Sequence, residues 1–234
     1  MTVVLYTFAR IWLVVYATAR TDQLAGLTMP KMLWYLVITE AILLSAPRAW
    51  AEVDQDVRTG RLAVQLIYPV SYVLAHFGRS IGERIVRFTI NLVAGAVIAL
   101  ALAGPIPVSA SGFLMFLAVL PASFILDFLA NFLVGLCAFW LESTAGVALI
   151  YSRLVMLLGG TFLPIEIYPI ALQPVVRALP FASMIYAPGR MFVDPNVSLL
   201  RGSLFVQTFA LAVLACIVMA VQSIALRRLF ANGG

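Results

Sequence analysis

Residues 112–140 read GFLMFLAVLPASFILDFLANFLVGLCAFW, a run whose only charged side chain is Asp127. About 20 mostly apolar residues suffice for a helix to cross the hydrocarbon of a bilayer, and this run is longer. The rest of the chain repeats its character. Of 234 residues, 63% are hydrophobic and 11% charged, and the mean hydropathy is +1.05. A soluble domain holds roughly 45–50% apolar and about 25% charged residues. The surface of a water-soluble fold could not absorb the difference. Two cysteines exclude a secreted disulfide scaffold. The 12% aromatics and low charge exclude a disordered chain. The composition therefore predicts an all-α integral membrane protein.

Working outward from 112–140, the apolar runs divide into six spans: 3–19, 30–46, 88–103, 112–140, 147–163 and 203–226. Ala17-Thr18-Ala19 fits a signal-peptide cleavage pattern, but no basic residue precedes the run and Arg10 divides it, so a spanning helix is expected. Pro30 suits the first turn of the second helix, and the short link 20–28 makes a hairpin of the first two. Gly95, Ala99 and Ala103 give the third a small-residue face for close packing. Pro121 is the expected kink of the fourth. Arg227 and Arg228 stop the sixth.

Between the second and third spans the character changes. Residues 48–87 hold Arg48, Glu52, Asp54, Asp56, Arg58, Arg61, Arg79, Glu83, Arg84 and Arg87. Arginine and lysine are retained on the cytoplasmic side, which places this segment inside. Early acids (Glu52, Asp54, Asp56) and later bases (Arg58, Arg61) complement a helix dipole, so a short helix is expected first. Residues 71–87 then carry Leu74, Phe77, Ile81 and Ile85 on one face, predicting an amphipathic helix on the membrane surface. Residues 159–202 contain Pro164, Pro169, Pro174, Pro180, Pro188 and Pro195, and no long helix survives so many breaks. Irregular backbone at membrane depth must be buried in protein or line a cavity. Short helices re-entering the outer leaflet over 164–202 are the expectation. Six spans place both termini inside. The inner side then carries Arg48, Arg58, Arg61, Arg79, Arg84, Arg87, Arg227 and Arg228, and the outer side Arg20, Lys31, Arg177, Arg190 and Arg201.

The chemistry missing from the sequence narrows the function. A P-loop needs a lysine after its glycine-rich turn; the only lysine, Lys31, follows Met29-Pro30. A zinc or haem site needs clustered His and Cys, and His76 is the only histidine. Nucleic-acid binding would need a basic patch on a soluble face. Gly78-Arg79-Ser80-Ile81-Gly82 matches G-x-S-x-G, but a hydrolase needs it on a strand–turn–helix with a histidine after the serine. Arg10, Glu40, Asp127 and Arg153 lie in or near spans, where each charge costs about 3 kcal/mol or more. Glu40, Asp127 and Arg153 are candidate pathway residues; pairing with one another or with a partner subunit is the competing expectation.

Three groups of residues then carry a family resemblance. The first is DQDVRTGRL at 54–62 followed by YPVSY at 68–72. The second is AFWLE at 138–142. The third is GGTFLP at 159–164 with Tyr168-Pro169 and Leu179-Pro180-Phe181. In order and spacing they resemble the ABC-2 permeases, the six-span membrane subunits of ATP-binding cassette exporters. The resemblance covers about residues 32–234. It implies that the segment after the second span is a coupling helix docking on an ATPase, with Glu52, Asp54, Asp56, Val57, Arg58, Thr59, Gly60, Arg61 and Leu62 as the coupling residues. It implies an outer gate around Pro164, Glu166, Tyr168 and Pro169. A second permease, identical or a sister chain, would complete the pathway. Two ATPase subunits would bind ATP and Mg2+, so this chain would hold no cofactor and would not itself be an enzyme. The setting would be the bacterial cytoplasmic (inner) membrane and the substrate a drug-like, cationic or amphiphilic molecule. Members usually carry an amphipathic cytoplasmic helix before the first span, whereas here apolar residues follow Met1 almost at once. The alternatives are a membrane-embedded lipid-modifying enzyme and a non-catalytic assembly protein.

Overall fold

Every regular element among the described residues is a helix. The structure is a computed structural model that describes residues 11–12, 14–15, 23–65, 69–107 and 109–232. The helices are α1 (Met29–Leu44), α2 (Ala49–Arg58), α3 (Arg61–Gln65), α4 (Tyr72–Ala103), α5 (Ala110–Leu136), α6 (Ala145–Leu158), α7 (Gln173–Ala178), α8 (Pro180–Met184), α9 (Tyr186–Val193) and α10 (Val197–Asn232). Short 3-10 turns cover Cys137–Phe139 and Ile165–Ile167.

Four stretches are long and apolar enough to cross a membrane: Met29–Arg58, Tyr72–Ala103, Ala110–Phe139 and Val197–Ala225. The span expected at 3–19 lies almost wholly outside the described residues. The second ends as a helix at Leu44, where a turn redirects the chain into α2. The fifth is shorter than expected. Helix α6 has 14 residues, about 21 Å at 1.5 Å per residue, because Gly159 and Gly160 (φ +68°) close it. The sixth is longer, a 36-residue helix. Helix α5 continues through Pro121 and is capped by Ser109, whose hydroxyl accepts from the Gly112 amide at 3.0 Å.

The largest correction concerns 71–87. No separate surface helix precedes the third span; the two are one 32-residue helix, α4. Nothing between Arg87 and Phe88 breaks a helix, and Gly104 (φ +74°) ends it. Its orientation also differs from the amphipathic reading. Tyr72, His76, Ser80 and Arg84, four residues apart, form the buried stripe, while Leu74 and Ile85 are exposed. The polar side chains point inward because partners wait for them there.

Glycines set the close approaches. A Cβ on Gly95 would lie 2.8 Å from Val37 Cγ1, so α4 and α1 touch backbone to side chain. A Cβ on Gly135 would lie 2.6 Å from Val53 Cβ and 3.0 Å from the Trp50 carbonyl, which seats α2 directly on α5. Val53, Leu62, Tyr72, Phe128 and Phe132 form a buried cluster at that end. At the other end α1 and α9 pack around Tyr35, Tyr186 and Ile165. The proline-rich stretch after Gly160 is broken into the 3-10 turn, α7, α8 and α9, as the prolines require.

Candidate functional site

The charged segment after α1 folds into a braced elbow. Helix α2 has Glu52 in its first turn and Arg58 in its last. Gly60, with φ +71°, turns the chain into α3; the left-handed conformation favours glycine. The brace is Asp56, which is 4% exposed. Its Oδ2 accepts from Gln65 Nε2 at 3.1 Å and the Tyr72 hydroxyl at 3.2 Å, and lies 3.2 Å from His76 Nε2. Arg61 Nε approaches its Oδ1 at 3.3 Å. One carboxylate thus ties α2 to α3 and to the first two turns of α4. Glu52 adds a looser tie: Arg79 lies 3.5 Å away and His76 Nδ1 3.4 Å away. The His76 contact is close enough for attraction but not aligned as a hydrogen bond.

A second brace links the elbow to the turn after α5. Arg58 donates to both oxygens of Asp54 at 2.7 and 3.0 Å and to the Leu141 carbonyl at 3.3 Å. The Thr144 hydroxyl donates to Asp54 at 2.8 Å. Val57 packs on the buried cluster and Leu62 is 2% exposed. Arg58, Thr59, Gly60 and Arg61 remain exposed at the tip, with Val64 beyond them. All nine residues named for coupling from the sequence therefore fall on one elbow, with Val57 and Leu62 inward and Arg58 to Arg61 exposed, although Arg58 and Arg61 pair with Asp54 and Asp56. Tyr72, His76 and Thr144, which hold it, were not among them. The four-residue repeat Tyr72-His76-Ser80-Arg84 was the signal available.

The candidate pathway residues are not brought together. Asp127 Oδ2 pairs with Arg84 Nη1 at 2.5 Å, with both side chains at most 5% exposed. Asp127 Oδ1 accepts from the Tyr151 hydroxyl at 2.7 Å and from Asn131 Nδ2 at 3.1 Å. Arg84 also donates to the Ile42 carbonyl at 3.4 Å and lies 4.2 Å from the centre of the Phe124 ring. Arg84, read from the sequence as a solvent-facing cytoplasmic charge, is thus a buried partner joining α1, α4, α5 and α6. Glu40 is 5% exposed, and its Oε1 has no hydrogen-bond partner among the described residues. Arg153 is exposed on α6, and its nearest polar contact is Met156 Sδ at 4.0 Å. Ser80 of the G-x-S-x-G match sits buried in mid-helix, without the strand–turn setting of a nucleophile.

At the opposite end the gate residues lie in one turn. Pro164 precedes the 3-10 turn, and the Pro169 carbonyl accepts from the Leu172 amide at 2.8 Å. The Tyr168 hydroxyl donates to the Leu157 carbonyl at 2.5 Å, closing the turn onto α6. Glu166 Oε1 takes the Tyr186 hydroxyl and lies 3.7 Å from Arg177 and 4.0 Å from Arg190. Arg190 bonds Asp194 at 3.2 Å, and Lys31 reaches the other Asp194 oxygen at 3.3 Å. Glu166, Arg177, Tyr186, Arg190 and Asp194 rim a cleft of about 390 Å³ between α8, α9 and the start of α10.

A braced, charged elbow at one end of an apolar helix bundle is the arrangement expected where a membrane subunit meets a soluble one. The family comparison bears on this directly: the model of the ABC-2 family transporter proteins matches residues 4–233. The chain belongs to the ABC-2 transporter family. No curated protein matches it. As an ABC-2 permease it is a multi-pass membrane component of a transport system, not the catalytic part. The family works with ATPase subunits, and the elbow is the charged surface this chain offers at one end of the bundle.

Proposed function

We propose that this permease is the transmembrane subunit of an ATP-driven exporter in the bacterial inner membrane. It has six spans, both termini in the cytoplasm, and a pathway formed with a second permease, identical or a sister chain. Two ATPase subunits carrying ATP and Mg2+ dock on residues 52–62. The observation that carries this reading is the elbow itself. Asp56 fixes it to α4 and Asp54 fixes it to the loop before α6, so force on the exposed tip is passed to two transmembrane elements rather than lost in a loose loop. ATP binding would draw the ATPases together, move the elbows and tilt α4. The turn at 164–169 and helices α7 to α9 would re-enter the outer leaflet and close the pathway there.

The substrate is drug-like, cationic or amphiphilic. Asp127 is already neutralised by Arg84, so among the candidate carboxylates Glu40 is the one with an oxygen left for a cation. The test is reconstitution with an ATPase encoded nearby. Wild-type chain should bind the ATPase and support ATP-dependent export from liposomes. Replacing residues 56–60 should abolish stimulated hydrolysis and export. Unchanged activity, or failure of wild-type subunits to associate, would sink the coupling assignment.

A further inference from the structure

The cleft between α8, α9 and α10 has a bonding capacity that can be counted. Four charged side chains line it: Glu166, Arg177, Arg190 and Asp194. Arg190 is spent on Asp194 and on the Ala25 carbonyl at 3.2 Å. Asp194 is spent on Arg190 and Lys31. Glu166 Oε1 is spent on Tyr186. Among the described residues, two of the charged groups are less fully engaged. Glu166 Oε2 is shielded from water and has no donor. Arg177 has Glu166 alone as an ion-pair partner, at 3.7 Å, and is 46% exposed. A carboxylate oxygen without a donor is costly to shield, and a half-free guanidinium is a ready phosphate ligand. The two stand side by side.

The remainder of the cleft is mixed, with Ser183, Tyr186, Asn196, Ser198 and Ser203 facing it beside apolar side chains. Ala182, Ala187, Leu199 and Val206 line it, and a Cβ at Gly202 would meet nothing within 4 Å. Gly202, Val206, Phe209 and Val213 fall on one face of α10 by their three- and four-residue spacing. Phe209 and Val213 are exposed beyond the cleft, so the apolar wall runs out along the bundle surface. The volume lies in the range of ligand pockets.

We propose that this cleft binds the headgroup of a zwitterionic phospholipid. The phosphate bonds Arg177, the ammonium pairs with the Glu166 carboxylate, which turns to present Oε2 to the cleft, and an acyl chain lies along the Gly202–Val206–Phe209–Val213 face. The site itself follows from the lining; only its assignment to the outer leaflet rests on the orientation proposed above.

Native mass spectrometry of the full-length chain in detergent tests this, titrating dilauroyl phosphatidylethanolamine, dilauroyl phosphatidylglycerol and soluble phosphoethanolamine. The ethanolamine lipid should bind about tenfold more tightly than the glycerol lipid, the worth of one charge-assisted bond. Arg177→Gln and Glu166→Gln should each remove about that factor, and Gly202→Trp, which fills open space without touching a charge, should remove binding. Soluble phosphoethanolamine should not compete, because it lacks the tail. Equal affinity for the two lipids would overturn the zwitterion assignment. Binding unaffected by Gly202→Trp would overturn the location, and competition by phosphoethanolamine would overturn the amphiphile. The readout needs no ATPase, so its failure is distinguishable from failure of the export reading.

Discussion

Arg84 and Asp127 meet at 2.5 Å with both side chains almost wholly buried, one from α4 and the other from α5. The pair is completed by Tyr151 of α6 and the Ile42 carbonyl of α1. Desolvating two charges is expensive, and the penalty is met only when partners are good. Removing one partner leaves the other stranded, so Arg84→Met should destabilise the protein by about 3–5 kcal/mol. The double variant Arg84→Met/Asp127→Leu should recover most of that loss, because an apolar pair of similar volume is tolerated. Thermal unfolding of the purified chain in detergent checks both. A double variant as unstable as the single would mean the pair acts through something other than charge neutralisation.

Asp56 predicts a different phenotype. It binds Gln65, Tyr72 and His76 together, so its loss should free the elbow from α4 while the tip stays able to dock. Asp56→Ala should leave ATPase binding within about threefold, the scale of a neutral substitution of under ~1 kcal/mol, yet cut export per ATP hydrolysed. Pull-down and transport measured on the same liposomes separate the two effects. Equal loss of docking and export would place Asp56 in the docking surface instead.

What the sequence disclosed depended on whether the answer was local. Span 112–140, the broken proline stretch and the acid-to-base order of α2 are read from neighbouring residues, and the structure holds helices or breaks at each. The continuity of α4 was also local and was misread, since a change from polar to apolar composition at Arg87 is not a helix end. Burial of Arg84 was not local. Its partner Asp127 is 43 residues away, and periodicity says only that a polar stripe exists, not whether water or a carboxylate faces it. The same limit hid Tyr186 and Arg190, which join Glu166 only once α9 folds back on the gate turn.

Gly135 is the point where α5 yields space to α2. A Cβ there would collide with Val53 and the Trp50 carbonyl, the latter backbone that cannot swing aside. Gly135→Ala should cost about 1–3 kcal/mol, as overpacking does, and should shift the elbow. Gly146→Ala, where a Cβ meets nothing within 4 Å, is the control and should be near neutral. Melting temperatures compare the two directly. Equal effects would mean that helix propensity, not the α2–α5 approach, governs the position.

Gly60 sets the angle of the tip. At φ +71° a β-branched side chain is strained, whereas a Cβ would touch no neighbour within 4 Å, so any penalty is conformational rather than steric crowding from outside. The cost for a non-glycine residue in this region is about 1–2 kcal/mol, and asparagine tolerates it better than most. Gly60→Val should therefore weaken ATPase docking by misdirecting Arg61 and Val64, and Gly60→Asn should retain most of it. The order Gly, Asn, Val in a binding titration against the purified ATPase is the expected result. If valine docks as well as glycine, the exposed tip does not need this turn, and docking must rest on the α2 face that carries Arg58.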